Sequence, residues 1–457
     1  MQLTLAWLLQ GVLLNIFYSK IYIVYLLMQK TLILSFCLAL FLQGSFAYRA
    51  VLAGGGLSDD NADVYQAFID LATPAGKQPY IGIITAASST AQDNGAFYVN
   101  LFQKTYGVQN VEWLPIDINN VQNAQSPVLA AKLANMTGVW FGGGDQENLM
   151  TCFYRNGTNG QLIDTLTLSV IRARFNANLL AIGGTSAGTD IQQGAPMITG
   201  GESWNALLYG AYPYVNPKDE DDGLTYDPRG GFGFFKAGFV DTHCGTRGRQ
   251  GRMIRLINDL KKNGTWGLCI DEDTAIVIQD NNFQVVGYNG VWAIDLSNSS
   301  PSNNGSYFSI KNVSIAYLTK GDQLNLINKN ITWASWKNNI RGKEQHDFPM
   351  RATTDIFSSP NNYKNGSRVN PEMFNNVTTD LFDSAKVNTT YGLTYETHPE
   401  FRVDFDKSLG LGMVGNLGTT RYISYANLQV EILVERNAEE DLEDLTLFRD
   451  SFEDIEI

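Results

Sequence analysis

Residues 179–190 read LLAIGGTSAGTD. An apolar run from Leu179 to Ile182 passes into Gly183-Gly184-Thr185-Ser186-Ala187-Gly188 and then into polar residues. The run suits a strand buried on both faces. Gly184-Thr185-Ser186-Ala187-Gly188 fits Gly-x-Ser-x-Gly, the nucleophile elbow, in which a serine sits on a sharp strand-to-helix turn with its hydroxyl exposed. The same five residues also describe an ordinary glycine turn, so their meaning depends on what surrounds them.

Upstream, strand-like and helix-like segments alternate. RAVLAGGG (49–56), YIGIITAAS (80–88), VEWLPI (111–116), GVWFGGG (138–144) and NLLAIGG (178–184) read as buried strands. NADVYQAFIDLA (61–72), AFYVNLFQKTYG (96–107), VLAAKLANM (128–136) behind Ser126-Pro127, and a stretch around 160–175 read as helices. This alternation predicts right-handed crossovers and a mainly parallel sheet covered on both faces, the α/β class. In such sheets a site gathers at the carboxyl ends of the strands, and three of those ends are glycine-rich: Gly54-Gly55-Gly56, Gly142-Gly143-Gly144 and Gly183-Gly184. AGGGLSDD does not complete the dinucleotide fingerprint, and no cofactor is expected.

Composition sets outer limits. The 457 residues, 44% hydrophobic and 17% charged, suffice for a large core, and a net charge of -13 opposes nucleic-acid binding. From Met28 the chain carries a basic residue, an apolar run and Ser45-Phe46-Ala47, the pattern of a signal peptide over 28–47. Residues 1–27 are a further apolar extension, and a membrane is a partner only if that segment is retained as an anchor. Secretion, or delivery to an endomembrane lumen, is the expected address. Sequons at Asn135, Asn156, Asn263, Asn298, Asn304, Asn312, Asn330, Asn365, Asn376 and Asn388 fit it. Outside the leader only Cys152, Cys244 and Cys269 remain, enough for one intramolecular disulfide, and no metal-ligand cluster is present. Residues 326–435 are rich in Asn, Thr and aromatics and read as a β-rich, loop-rich extension, followed by an acidic tail over 436–457.

A serine needs a base, and the chain has three histidines: His243, His346 and His398. His243 closes the apolar run FVDTH and is followed by Arg247, Arg249, Arg252 and Arg255. An esterase of the α/β-hydrolase type would take His398 as its base, and a non-catalytic secreted glycoprotein would take none.

GGTSAG after a strand, FGGGDQ some forty residues earlier, DTHCGTRGRQGRM after it and then GLCIDEDTAIVI together resemble the cyanophycinase-like serine peptidase family, which also contains aspartyl dipeptidase. The resemblance covers 49–325 and implies a class I glutamine amidotransferase-like α/β sandwich, with a catalytic domain over 48–325. It implies Ser186 as nucleophile, His243 as base and Glu202 as the acid orienting it, with Asp190, Asp241 and Asp271 as alternatives for that acid. Ala187 with Gly143 or Gly144 would form the oxyanion hole. Gln146, Asp241, Thr242, Arg247, Arg249 and Arg252 would hold the substrate. The family motif usually reads Asp-Gln-His-Phe, whereas this chain has Asp241-Thr242-His243-Cys244. The expected activity is therefore a serine exopeptidase cutting aspartyl or β-aspartyl bonds, with an acidic peptide as partner, a homodimer as an optional assembly, and reduced use of cyanophycin.

Overall fold

The computed structural model describes residues 49–158, 161–214, 223–304, 307–348 and 353–436; the leader, the apolar extension and the acidic tail beyond Arg436 lie outside them. Five strands come from the first part of the chain: β1 (Arg49–Ala53), β2 (Tyr80–Ile84), β3 (Asn110–Trp113), β4 (Gly138–Phe141) and β5 (Ala181–Thr185). They run parallel in the order β1-β5-β4-β2-β3. Their crossovers carry α1 (Ala62–Ala72), α2 (Ala91–Asn100), α3 (Pro127–Leu133), α4 (Gln146–Phe153) and α5 (Leu166–Asn176). Ser126 caps α3 by accepting from the Leu129 N–H at 3.4 Å, with Pro127 at the first helical position. The helix expected over 96–107 starts earlier, at Ala91, and ends in a π-turn at Leu101–Thr105. The one expected around 160–175 starts at Leu166, after a hairpin that pairs Tyr154–Asn156 with Leu162–Asp164.

Later strands extend this sheet through successive antiparallel pairings and build a second one. They are drawn from β6 (Phe239–Asp241), β7 (Trp266–Ile270), β8 (Thr274–Gln279), β9 (Asn282–Gly287), β10 (Gly290–Asp295), β11 (Tyr307–Thr319), β12 (Gln323–Asn325), β13 (Ile331–Thr332), β14 (Thr389–Leu393), β15 (Glu400–Asp406), β16 (Leu411–Leu417) and β17 (Thr420–Arg436). β8 pairs antiparallel with β1, and β9, β12 and β13 continue outward, giving nine strands in the order β13-β12-β9-β8-β1-β5-β4-β2-β3. A second sheet runs β6-β7-β10-β11-β17-β15-β14, with β16 on β17. The chain therefore steps from the second sheet to the first through Asp271, Glu272 and Asp273, between β7 and β8.

The change of composition near residue 325 is not a structural boundary. β17 pairs with β11 in the same sheet, Val313 opposite Val430 and Ile315 opposite Leu428. Exposed loops set the Asn- and Thr-rich texture of 326–435, while the buried strand faces, such as Leu428, Val430 and Ile432, are ordinary core.

Alternation along the strands sorts the core into layers. Val51 and Ala53 of β1 face α1, packing with Tyr65, Phe68 and Trp140. Ala50 and Leu52 face the other way, into a middle layer shared with Leu268 and Ile270 of β7 and Val291 and Ala293 of β10. The opposite faces of those second-sheet strands, Cys269, Trp292 and Ile294, meet α9 (Gln250–Asp259) and α10 (Met373–Phe382) through Ile254, Ile257, Phe374 and Leu381. Helices α6 (Ala187–Asp190), α7 (Ser203–Tyr209) and α8 (Cys244–Arg247) lie at the ends of strands. Among the described residues no helix is long and apolar enough to cross a membrane.

Candidate active site

Ser186 stands between β5 and α6 with φ 54° and ψ -125°. A residue with a Cβ seldom adopts such a conformation, and holding it costs about 1–3 kcal/mol. The surroundings impose it: the Ser186 N–H donates to the Ala53 carbonyl at 3.2 Å, and Thr189 donates through its N–H to the Ser186 carbonyl at 2.7 Å and through its hydroxyl to Ala53 at 2.7 Å. A Cβ at Gly184 would strike the Gly188 carbonyl, so the tight turn requires the first glycine of the pattern.

His243 lies two residues past the end of β6 and directly precedes α8, also at positive φ, 54°, with its N–H bonded to the Gly54 carbonyl at 2.7 Å. Its Nε2 lies 2.7 Å from Ser186 Oγ and its Nδ1 lies 2.6 Å from Glu272 Oε1. With Nδ1–H donating to the carboxylate, Nε2 is free to accept from the serine hydroxyl. The ring packs on Gly55, whose φ of 101° and bare Cα leave the space a side chain would fill. Burial lowers the His243 pKa from 6.5 to about 4, with Arg247 and Arg249 acting in the same direction and Glu272 opposing. The hydrogen bond from His243 holds the Glu272 carboxyl below its ordinary range. The imidazole is thus neutral and the carboxylate charged at neutral pH. A disulfide between Cys244 and Cys269 joins the residue after His243 to the strand that leads to Glu272.

The acid on His243 is Glu272 rather than Glu202. Glu202 pairs instead with Arg368 at 3.0 Å, while Nδ1 of His243 is bonded to Glu272. The alternatives weighed for that role are also committed elsewhere. Asp190 accepts from the Thr242 hydroxyl at 3.1 Å, Asp271 accepts from backbone N–H groups, and Asp241 binds Arg252 through both oxygens at 2.6 and 2.8 Å. His398 is an exposed residue beside Thr397, so the imidazole on Ser186 is that of His243.

The serine opens on a cavity of about 280 Å³ lined by Gly144, Gln146, Glu147, Asp190, Thr242, His243 and the arginines 247, 249 and 252. Asp241 does not reach it. That carboxylate is fully buried and serves the arginine behind the wall, which corrects the expectation that it contacts substrate. Arg252 is likewise spent on Asp241 and the Gly201 carbonyl, and Arg249 donates to the Thr242 carbonyl at 3.0 Å while its buried Nε has no partner among the described residues. Among the described residues the Arg247 guanidinium has no hydrogen-bond or ion-pair partner, so it is the fork most available to a carboxylate. Gln146 uses its amide on the carbonyls of Ile198 and Thr199, at 3.1 and 2.9 Å. Burial and the neighbouring Asp241 raise Asp190 to about 7, and burial with Asp227 and Asp145 raises Glu147 to about 7. Gly143 lies against Ser186, its Cα facing the serine side chain, and Ala187 opens α6, where helical N–H groups lack internal partners. These groups can support attack by Ser186 on a carbonyl, proton transfer through His243 and stabilisation of an oxyanion.

The family model described as Peptidase family S51 matches residues 50–286. Cyanophycinase from Trichormus variabilis is 30% identical over 290 residues, covering 62% of this chain and 87% of that protein. Cyanophycinase from Geminocystis herdmanii is 28% identical over 284 residues, covering 60% and 93%. Among solved structures, a peptidase from an acI-B1 Actinobacterium aligns with 62% of this chain and 99% of its own at 18% identity and a TM-score of 0.42.

Proposed function

Because the chain belongs to peptidase family S51 and is a serine-type exopeptidase, we propose that it hydrolyses aspartyl or β-aspartyl peptides through an acyl-enzyme on Ser186. The observation that carries this reading is the hydrogen-bonded series Ser186–His243–Glu272 opening on a cavity that presents Arg247. His243 takes the serine proton and returns it to the leaving amine. Ala187 and Gly143 or Gly144 supply the oxyanion donors. Arg247 and Arg249 attract the substrate carboxylate, and Thr242 sets the shape of the wall between them. At 280 Å³ the cavity is smaller than the ~300–1,000 Å³ of typical drug-sized sites, which suits one or two residues rather than an extended polymer.

Thr242 marks the substrate choice. Its hydroxyl is bound to Asp190, so it offers no amide to a substrate. A site built for a hydrogen bond discriminates strongly when one partner is missing. Poor turnover of cyanophycin and better turnover of short aspartyl peptides follow. The test is kcat/KM of the unmodified protein and Thr242→Gln on cyanophycin, β-Asp-Arg and a panel of N-terminal aspartyl peptides. Efficient cleavage of cyanophycin by the unmodified protein rejects the narrower substrate range.

Export is part of the same proposal. It is supported by the 28–47 leader pattern, by the disulfide, which persists in oxidising compartments, and by the exposure of the sequon asparagines 135, 156, 263, 298, 312, 330, 365 and 388, whereas Asn376 is half-buried. Glycosidase-sensitive mass on the eight exposed sites is the expected finding, and an unglycosylated protein retaining its leader is the contrary one.

A further inference from the structure

The chain between 353 and 373 passes behind the His243 turn and brings two charged side chains to it from outside the residues matched by the family model. Arg368 donates to the Arg247 carbonyl at 3.2 Å while pairing with Glu202. Glu372, at φ 63°, donates its N–H to the Gly245 carbonyl at 3.2 Å and accepts from the Thr246 hydroxyl through Oε1 at 2.8 Å. Its other oxygen, Oε2, is buried without a donor among the described residues, and so is Oδ2 of Asp271. Both oxygens lie over the Cα of Gly245, where a Cβ would strike them together. The remaining oxygen of Asp271, Oδ1, accepts from the N–H groups of Gly245, Thr246 and Glu272 at 3.0, 3.4 and 2.8 Å. Asp271 therefore ties the turn after His243 to the backbone of Glu272.

Two facing carboxyl oxygens without donors, in a buried site, are satisfied by one proton between them: one carboxyl donates and the pair carries a single charge. Burial and the neighbouring acid push Asp271 well above the usual carboxylate range, and burial raises Glu372 as well. The titratable groups that face the pair are Glu272 on the same loop and the Tyr317 phenol from β11. Arg247 on α8 acts on Glu272.

We propose that the Asp271–Glu372 carboxyl pair, holding one proton, is a positioning clamp that fixes the His243 turn against the Glu272 backbone. Residues beyond 325 thereby become part of the active-site support. The clamp rests on the serine-peptidase reading of Ser186, and neither of its carboxyls touches substrate. Its proton is also its weak point: once lost at alkaline pH, two buried negative charges repel and the turn loosens.

The experiment is the rate at which diisopropyl fluorophosphate, a neutral reagent, labels Ser186 in the full chain as a function of pH, together with kcat and KM on a short aspartyl peptide. Glu372→Ala is expected to slow labelling about tenfold to a hundredfold, as small misplacements of a catalytic group do, and to lower kcat with little change in KM. Glu372→Gln restores the neutral-pH rate, because an amide donates to the Asp271 carboxylate without a proton to lose, and it keeps that rate at alkaline pH where the unmodified protein declines. A merely structural contact would lower the melting temperature and leave the pH profile in place. If Glu372→Ala does not fold, the alkaline limb of Glu372→Gln decides alone. Labelling that survives Ser186→Ala overturns the site reading and the clamp with it. Labelling that needs Ser186 but keeps the unmodified rate and pH profile in both Glu372 variants overturns the clamp alone.

Discussion

The two sides of the active site are built by different means. Ser186 and Gly143 sit at the ends of adjacent parallel strands, β5 and β4, and are placed almost wholly by backbone: a strained turn, close glycine approaches and main-chain hydrogen bonds. His243 and Glu272 come from the second sheet and the crossing between sheets, and besides the His243 N–H bond to Gly54 they are placed by side chains: the disulfide beside His243, the Asp271 carboxylate on the N–H groups of Gly245, Thr246 and Glu272, and Arg249 on the Thr242 carbonyl. The difference teaches that a nucleophile can be placed by main-chain geometry, whereas its base and acid also draw on side chains brought from elsewhere in the chain, Glu372 standing 129 positions beyond His243.

The largest effect tests whether both sides serve one reaction. Ser186→Ala should reduce kcat/KM by about 10⁵-fold or more while leaving the denaturation midpoint unchanged, since the hydroxyl contributes little to the core. Glu272→Gln follows: it should cost about 10³- to 10⁴-fold in kcat, because the imidazole loses the carboxylate that stabilises its charged form, whereas Glu202→Gln should cost less than about tenfold. Steady-state kinetics on one aspartyl peptide ranks all three. A larger loss for Glu202→Gln than for Glu272→Gln would break the assignment of the acid.

That ranking also shows what was legible in the sequence. The parallel strands and the elbow were readable because each is a local pattern, an apolar run or a glycine-spaced serine, whereas the choice of His243 among three histidines rested on the family resemblance. The antiparallel half of the first sheet was not readable, since β8 pairs with β1 across more than 200 residues and β9 joins the sheet only through β8. The acid was missed for a related reason. Asp271, Glu272 and Asp273 stand in a row, and each has a separate partner: the clamp with Glu372, the His243 ring, and Ser58, whose N–H and hydroxyl donate to Asp273 at 2.6 and 2.8 Å. The motif GLCIDEDTAIVI placed these acids near the site, but only the way the backbone turns between two sheets decides which carboxylate faces the histidine. The importance of residue 372 was hidden more deeply, in a stretch whose composition signals only exposed loops.

The side built from side chains should be the more fragile. Removing the disulfide with Cys244→Ala and Cys269→Ala together opens a loop across 25 positions, which costs about 3 kcal/mol of stability. Because one of those residues follows His243 directly, kcat should also fall, by about tenfold. Cys152→Ala, in the buried core of the parallel half, should lower stability without lowering kcat. Urea titrations and kinetics on both variants make the comparison, and equal kcat for the two would remove the distinction between the sides.

The smallest effect separates catalysis from recognition by pH. The base must be neutral to accept the serine proton, and burial holds His243 at about 4 rather than 6.5, so kcat should stay near its neutral value down to about pH 5 and fall only below that. Recognition should change in a different window. Asp190 and Glu147, raised to about 7 chiefly by burial, are uncharged below that pH and leave the arginines to dominate the cavity. As pH rises through about 7 both acids ionise, the field at Arg247 becomes less positive, and KM for an acidic peptide should rise about threefold to tenfold with kcat unchanged. Glu147→Gln should remove part of that rise, and a peptide with an uncharged side chain in the cavity should show none of it. A KM that is flat from pH 5 to 9 for the acidic peptide would mean that the carboxylate is bound elsewhere, and would leave Arg247 without the role its unpaired guanidinium suggests.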